Sequence, residues 1–376
     1  MSVPFVFAVI AFFAGLAGAF QIPTLSLFLS TELKTAPAAI GLFYMVNAAV
    51  GIGIGFGLAA FSDRLRVRRH LLMLCYLMAV FNCLLFAFNR QYWVLLFIGS
   101  FLAAVANAAM PQLFALAREY SEKPMFNALM RAQLSLAWVI GPPLAFTATA
   151  AAGFTTMYVL TAMIFLIIIL LAFFLPVMQK EKRQVVACET PDLTVRKKTV
   201  LLFTTSMLMW SCSALYLIDA PVFITRQLGL AETNVGIIMG VAAAIEIPVM
   251  LLAGRYVEQI GKRRMMAAAL GAGILFYGGL TLATSLWQLL LLQILNALFI
   301  GVIATVGLFF FQAALPERQG LAATLFTNSV SVGIILAGGV HVFLTQSGRH
   351  EPVYIMAGAL LFTASVIVWR SDETFT

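Results

Sequence analysis

The sequence predicts an all-α membrane protein, with twelve transmembrane helices arranged as two six-helix bundles. Three observations predict it. The 376-residue chain is 62% hydrophobic and only 10% charged, whereas a soluble chain runs near 25% charged and just under half apolar. That much apolar surface exceeds what a soluble core holds, so the excess faces lipid. Apolar runs long enough to cross a bilayer recur along the whole chain. The basic residues fall mostly on alternate connections between those runs, as the positive-inside rule requires of a polytopic protein.

The runs lie near 5–29, 38–61, 70–88, 92–117, 125–149, 154–176, 199–225, 234–256, 265–284, 287–313, 320–345 and 352–370. The first has no Lys or Arg before Lys34 and reaches about Leu29. At that length, and without a basic n-region, it reads as a retained helix and not as a signal peptide. Of the 23 Lys and Arg, 18 lie in the connections after runs 2, 4, 6, 8 and 10 and at the C-terminal end. The opposite connections hold four, Lys34, Arg90, Arg226 and Arg349, and Arg131 sits near the start of run 5. The side with 18 is cytoplasmic, which places both termini in the cytoplasm. The same asymmetry accounts for the net charge of +8 without nucleic acid as a partner. The connection at 177–198 is the longest and most charged, with Lys180, Lys182, Arg183, Arg196, Lys197 and Lys198. It divides the chain into a bundle over 1–176, a cytoplasmic linker over 177–198 and a bundle over 199–376.

The four cysteines are scattered: Cys75, Cys83 and Cys212 lie in apolar runs and Cys188 in the charged loop. No CxxC or ligand spacing suggests a metal or any cofactor. No HExxH, GxSxG or clustered pair of acids suggests an enzyme.

The two halves resemble each other. Gln21-Ile22-Pro23 in run 1 matches Asp219-Ala220-Pro221 in run 7, and Gly41 matches Gly236. Asp63 follows Gly41 by 22 residues, Glu258 follows Gly236 by 22, and Arg69 and Arg264 each come six later. The second half reads Gly254, three residues, Glu258, two residues, then Gly261-Lys262-Arg263-Arg264. That is similar to the loop signature of the major facilitator superfamily, which implies the fold of that superfamily. The first half keeps Asp63, Arg64 and Arg69 but has Ala59 and Arg66 where the family has glycines. An acid at a helix end can pair with basic residues and a neighbouring helix N-terminus. Asp63, Arg64, Arg69, Gly254, Glu258, Gly261, Lys262 and Arg263 are therefore expected to form a cytoplasmic latch; the alternative is that they only anchor loops at the interface. Parallel repeats around a midplane site suit alternating access.

Several intramembrane strings narrow the resemblance to the bacterial sugar efflux transporters of the Set family. They are Gln21–Ser30, Ile40–Tyr44 with Val46-Asn47, Met110–Tyr120, Met130–Leu144, Glu246-Ile247-Pro248, Gly261–Met266 and Thr324–Ser329. The resemblance implies export of lactose, glucose and related glycosides across the bacterial inner membrane by an antiporter driven by inward proton flow, acting as a monomer. A multidrug exporter of the same superfamily is the alternative, with 32 phenylalanines available to line a drug site. A non-transporting sensor is another, although the longest loop leaves little room for an output domain.

Ionisable groups at membrane depth cost about 2.5–3.5 kcal/mol each on insertion scales, so they are functional by default. Arg131, Asp219 and Glu246 qualify. Glu246, at mid-run before Pro248, and Asp219, beside Pro221, are the candidates to carry the coupling proton, with Glu246 preferred. Arg131 either pairs with a carboxylate, donates to a sugar hydroxyl or snorkels to the surface. Sugar binding needs paired donors and acceptors with an apolar face. Gln21, Asn47, Asn107, Gln112, Gln133, Trp138, Asn296 and Asn328 supply the amides and the ring, with Arg131 beside them. Buried amides also bridge helices without meeting a ligand. Gly51, Gly53, Gly55 and Gly57 are expected to let helices approach closely. Gly141-Pro142-Pro143 and Gly338-Gly339 mark hinge or packing positions. His341, taken alone, is expected to be structural.

Overall fold

The structure, a computed structural model, describes residues 2–62, 68–121, 124–176, 193–316, 318–345 and 349–370. Every regular element among these is helical. In chain order they are α1 (Val3–Thr31), α2 (Pro37–Ser62), α3 (Arg68–Phe88) and α4 (Tyr92–Tyr120, with a wide π turn at Leu95–Gly99). Pro124–Ala172 is one long helix broken at Gly153, where φ is 77° and ψ 169°. Its arms are α5, residues 124–152, and α6, residues 154–172. Then follow α7 (Leu193–Val222, with a π turn at Phe223–Gln227), α8 (Glu232–Ile260), α9 (Lys262–Leu280), α10 (Leu286–Ala314), α11 (Gln319–Leu344) and α12 (Glu351–Arg370).

Ten stretches among the described residues are long and apolar enough to cross a membrane. Two details separate this from the expected twelve. Runs 5 and 6 join through Gly153 into a single stretch. Run 9 becomes α9, whose first turn is Lys262-Arg263-Arg264 and is too polar to qualify. The protein is multi-pass in the membrane, and its exposed large side chains fit that. Leu170, Leu251, Leu275 and Phe362 point outwards, and Trp93, Trp287 and Trp369 lie exposed near helix ends, where amphipathic rings anchor at the lipid–water interface.

The chain divides into two compact units. One comprises Met1–Thr35, Val46–Val185 and Ala231–Gly240; the other comprises Ala36–Met45, Val186–Leu230 and Val241–Thr376. Most of the expected linker, 177–192, lies outside the described residues. Unit 1 has a core of Val6, Phe7 and Ile10 from α1, Leu72, Cys75 and Tyr76 from α3, Leu113 and Leu116 from α4, and Phe165 from α6. Lipid is as apolar as these side chains, so close packing and dispersion hold this core more than water exclusion does. Unit 2 closes on Tyr216, Phe276, Tyr277 and Phe299, with ring centroids 5.2, 5.0 and 6.4 Å apart in edge-to-face pairs.

The repeat is visible in the backbone. A shift of 195 residues carries the turn after α1 onto the turn after α7. Thr35 N–H donates to the Leu29 carbonyl at 3.2 Å, and Leu230 N–H donates to the Ile224 carbonyl at 3.1 Å. Both turns pass through a left-handed residue, Lys34 at φ 51° and Gly229 at φ 65°. Such a residue lets a helix end with its last carbonyls satisfied. Counted from this turn, Asp219 stands opposite Thr24 and not opposite Gln21. The reason is that α1 runs three residues further between its proline and the turn than α7 does.

Close approaches occur in each unit, again related by 195. In unit 2, a Cβ at Gly41 would lie 2.5 Å from the Gly338 carbonyl and 2.9 Å from Val342 Cγ2. In unit 1, a Cβ at Gly236 would lie 2.7 Å from the Pro142 carbonyl and 2.9 Å from Pro143 Cα. Only a residue without a side chain fits at either place. The run Gly51, Gly53, Gly55 and Gly57 behaves otherwise than expected: a Cβ on any of them meets nothing within 4 Å among the described residues, so these glycines make no close helix contact there.

Candidate functional site

The C-terminal part of α7 carries Asp219 into the interior of unit 2, one turn before the helix widens at Phe223–Gln227. Its side chain is fully buried, and two histidines meet it. His350 Nδ1 lies 2.8 Å from Asp219 Oδ1, and His341 Nε2 lies 3.3 Å from the same oxygen. His341 comes from α11 and is 4% exposed; His350 comes from the turn before α12 and is 12% exposed. The His350 contact is a hydrogen bond whose donor is set by the ring's tautomer, and the His341 contact becomes an ion pair when that ring is protonated. Asp219 Oδ2 and His341 Nδ1 are buried with no hydrogen-bond partner. The Phe223 ring packs on His350 at 5.7 Å and on Tyr354 at 5.2 Å, and Tyr354 itself sits beside Asp219. Among the described residues no group of His, Cys, Asp and Glu is arranged to hold a metal.

Sequence reading singled out Asp219, took His341 as structural and did not single out His350. A histidine nine residues after another, in a polar turn, carries no periodic signal. What assembles the cluster is the return of α11 and α12 against α7, with His350 131 residues from its acceptor.

Glu246 lies partly buried on α8, in unit 2. No hydrogen bond or ion pair joins it to a described residue. Its backbone carbonyl would be 3.4 Å from a Cβ at Gly301, so α8 and α10 pack tightly at this level.

The expected sugar-binding residues divide between the units. In unit 1, Gln21 donates to the Ala17 carbonyl of its own helix at 3.3 Å. Asn47 and Trp138 are partly buried, Asn107 is exposed and Gln112 is buried. Gln133 is the polar member of a cavity of about 640 Å³ between α1 and α5, lined also by Phe5, Phe12, Phe13, Leu129 and Leu136. Arg131 is exposed, with its guanidinium 5.9 Å from the Phe114 ring centroid. In unit 2, Asn328 is partly buried on α11. Asn296 is 6% exposed and donates to Gln293 Oε1 at 3.0 Å, while Tyr216 lies 3.4 Å from the same oxygen. Asn296 thus belongs to a bridge between α10 and α7. Sequence reading missed Gln293, and it missed the buried Ser206–Ser329 pair at 2.7 Å between α7 and α11.

Of the expected latch, Asp63 and Arg64 lie outside the described residues. Arg69 donates to the Phe173 and Leu175 carbonyls at 3.3 and 3.0 Å, just past α6. Arg263 donates to the Trp369 carbonyl at 2.8 Å, at the end of α12. Each arginine therefore binds the carbonyl end of the last helix of its own unit, where cations suit the helix dipole. Lys262 is partly buried, and Glu258 is exposed. Gly254 makes only ordinary contact with Thr305, at 3.8 Å from a built Cβ. Gly261 is the residue its signature demands: φ is 90° as the chain turns into α9.

Comparison with known proteins places this geometry. The family model described as Major Facilitator Superfamily matches residues 7–286 and 201–375. The chain is 50% identical to sugar efflux transporter A of Escherichia coli (strain K12), over 96% of this chain and 95% of that one. It is 45% identical to sugar efflux transporter A of Dickeya chrysanthemi, over 97% and 94%. A mutant of the nucleoside transporter NupG shares the fold with a TM-score of 0.85 and 15% identity, each chain covered in full.

Proposed function

This chain belongs to the bacterial Set family of sugar efflux transporters within the Major Facilitator Superfamily, and from that premise we propose that it exports sugars by alternating access as a proton/sugar antiporter. The likeness to sugar efflux transporters over nearly the whole chain carries the reading. The substrates are small glycosides such as lactose and glucose. The protein works as a monomer in the inner membrane, crossing it twelve times with both termini in the cytoplasm, the side where most Lys and Arg collect. The residues 1–176 and 199–376 act as the two rocking halves.

Glu246 carries the coupling proton in this reading, with Asp219 as the alternative carrier. Among the described residues no cation is fixed against Glu246, so a proton is the simplest neutralising partner for it at membrane depth. Gln21, Asn47, Asn107, Gln112, Arg131, Gln133, Trp138 and Asn328 offer the donors, acceptors and ring that a sugar needs; Asn296 supports them through its bridge to Gln293. The approaches of Gly41 to Gly338 and of Gly236 to Pro143 are the contacts that part when one side opens.

The test is uptake of labelled lactose by inside-out vesicles with an acidic lumen. Accumulation that collapses with a protonophore supports sugar export coupled to protons, and Glu246→Gln then abolishes accumulation while exchange persists. Equilibration without accumulation makes the protein a facilitator and both carboxylates structural. No sugar movement overturns the substrate assignment and brings forward drug or dye efflux.

A further inference from the structure

We propose that Asp219, His341 and His350 form one proton-binding site whose occupancy controls the contact between α2 and α11. This deepens the proton-coupled reading above and rests on it. The first argument is charge. With both imidazoles neutral, the cluster buries one uncompensated negative charge; one bound proton makes it neutral. An unpaired buried charge costs several kcal/mol, so the cluster is built to hold a proton and to exchange it only when its surroundings change.

The second argument is access. His350 alone of the three has appreciable exposure, at 12%, and it stands in the turn before α12. It meets Asp219 Oδ1 at 2.8 Å, and His341 meets the same oxygen at 3.3 Å, so a proton entering at His350 is shared through that oxygen. The other titratable and charged groups around the cluster cannot replace this route. Tyr354 on α12 sits beside Asp219, with Tyr216 on α7 and Tyr277 on α9 behind it. Glu351 is tied to Gln227 Nε2 at 2.8 Å, with Arg349 near it. Arg226 is exposed at the end of α7.

The third argument is what the proton would move. His341 lies one turn after Gly338 and next to Val342, the two α11 residues against which Gly41 packs. Met45 of α2 also covers this turn: its Cγ would lie 2.6 Å from a Cβ at Gly338. The tie from Asp219 therefore holds the same turn of α11 that α2 grips. His341 Nδ1 and Asp219 Oδ2, both buried and unpartnered, show that the cluster keeps binding capacity in reserve in this state. Adding or removing its proton changes the pull of α7 on that turn, and with it the fit of α2.

The experiment uses the purified full-length protein in detergent, so it needs neither sugar nor a known membrane orientation. A cysteine replaces Met45 (Met45→Cys), with Cys188→Ser to remove the loop thiol; maleimide labelling is followed from about pH 5 to 8, the range in which histidine changes charge, and each rate is divided by that of free cysteine at the same pH, which removes the thiol's own ionisation. Labelling of the parent is expected to change about tenfold across that range, the size of a typical coupling. His341→Gln and His350→Gln are each expected to flatten the profile, while elution stays monodisperse. If His341→Gln does not yield folded protein, His350→Gln decides, because its ring is less buried. A parent with no pH dependence, or a profile kept in every folded variant, overturns the proposal. A pH-dependent contact in a protein that moves no sugar leaves the proton site standing and overturns only the sugar reading.

Discussion

At the turn that closes its first helix, unit 1 places Phe28 beneath Arg90, which pairs with Glu32 at 3.0 Å and donates to Thr155 at 2.9 Å. A shift of 195 residues turns Phe28 into Phe223, Thr155 into His350, Thr24 into Asp219 and Phe146 into His341. The same framework thus holds a guanidinium, charged at every relevant pH, in one unit, and a buried carboxylate shared by two titratable rings in the other. The arginine pair is about one-third exposed and can rely on water; the aspartate is fully buried and cannot. One half is built as a fixed frame. The other has a changeable charge at a matched place, next to a helix contact that both halves possess.

The largest expected effect separates those matched positions. Asp219→Ala strands two imidazoles and should cost about 3–5 kcal/mol, whereas Thr24→Ala, which loses a hydroxyl shared between the Phe20 and Gln21 carbonyls of its own helix, should cost no more than about 1.5 kcal/mol. Thermal unfolding in detergent measures both, and equal losses would break the comparison. Next come the paired approaches. Gly338→Val and Gly236→Val should each cost about 1–3 kcal/mol by overpacking and should stop transport alike. A variant that transports normally would show that its approach is not part of the cycle. A smaller effect tests the signature turn: Gly261→Ala forces a side chain into φ 90° and should cost about 1–2 kcal/mol in unfolding measurements. The smallest belongs to the frame. Glu32→Gln removes a part-exposed ion pair and should cost no more than about 1 kcal/mol, with no change in the pH profile of Met45→Cys labelling.

The helices were legible in the sequence because each is a long apolar run, and lipid allows no alternative to internal hydrogen bonding. One helix signal went unread: Ser285 and Gln288 form a reciprocal capping box at the start of α10. The repeat was legible through Gly41, Gly236 and the spaced acids and arginines. Contacts between distant segments were not. For Arg69 and Arg263 the sequence shows the charge expected of a latch but not which carbonyls they reach. The bond from Asn296 to Gln293 was not legible either, because an amide in an apolar run reads the same whether it faces a sugar or another helix residue. The glycine run 51–57 looked like a packing stripe because sequence does not tell which face of α2 has a neighbour. Asp219 stood out because a carboxylate is costly at membrane depth. Its histidines did not, since neither lies near it along the chain.

The reach of Arg69 has a consequence for the order of synthesis. Its acceptors, Phe173 and Leu175, are made 104 and 106 residues after it, and Trp369 follows Arg263 by 106. In each half, then, a guanidinium emerges early and waits for the last helix of that half to arrive. A chain halted before residue 173 keeps Arg69 without these acceptors, so this tie between the first and last parts of a half forms only once its last helix has been made.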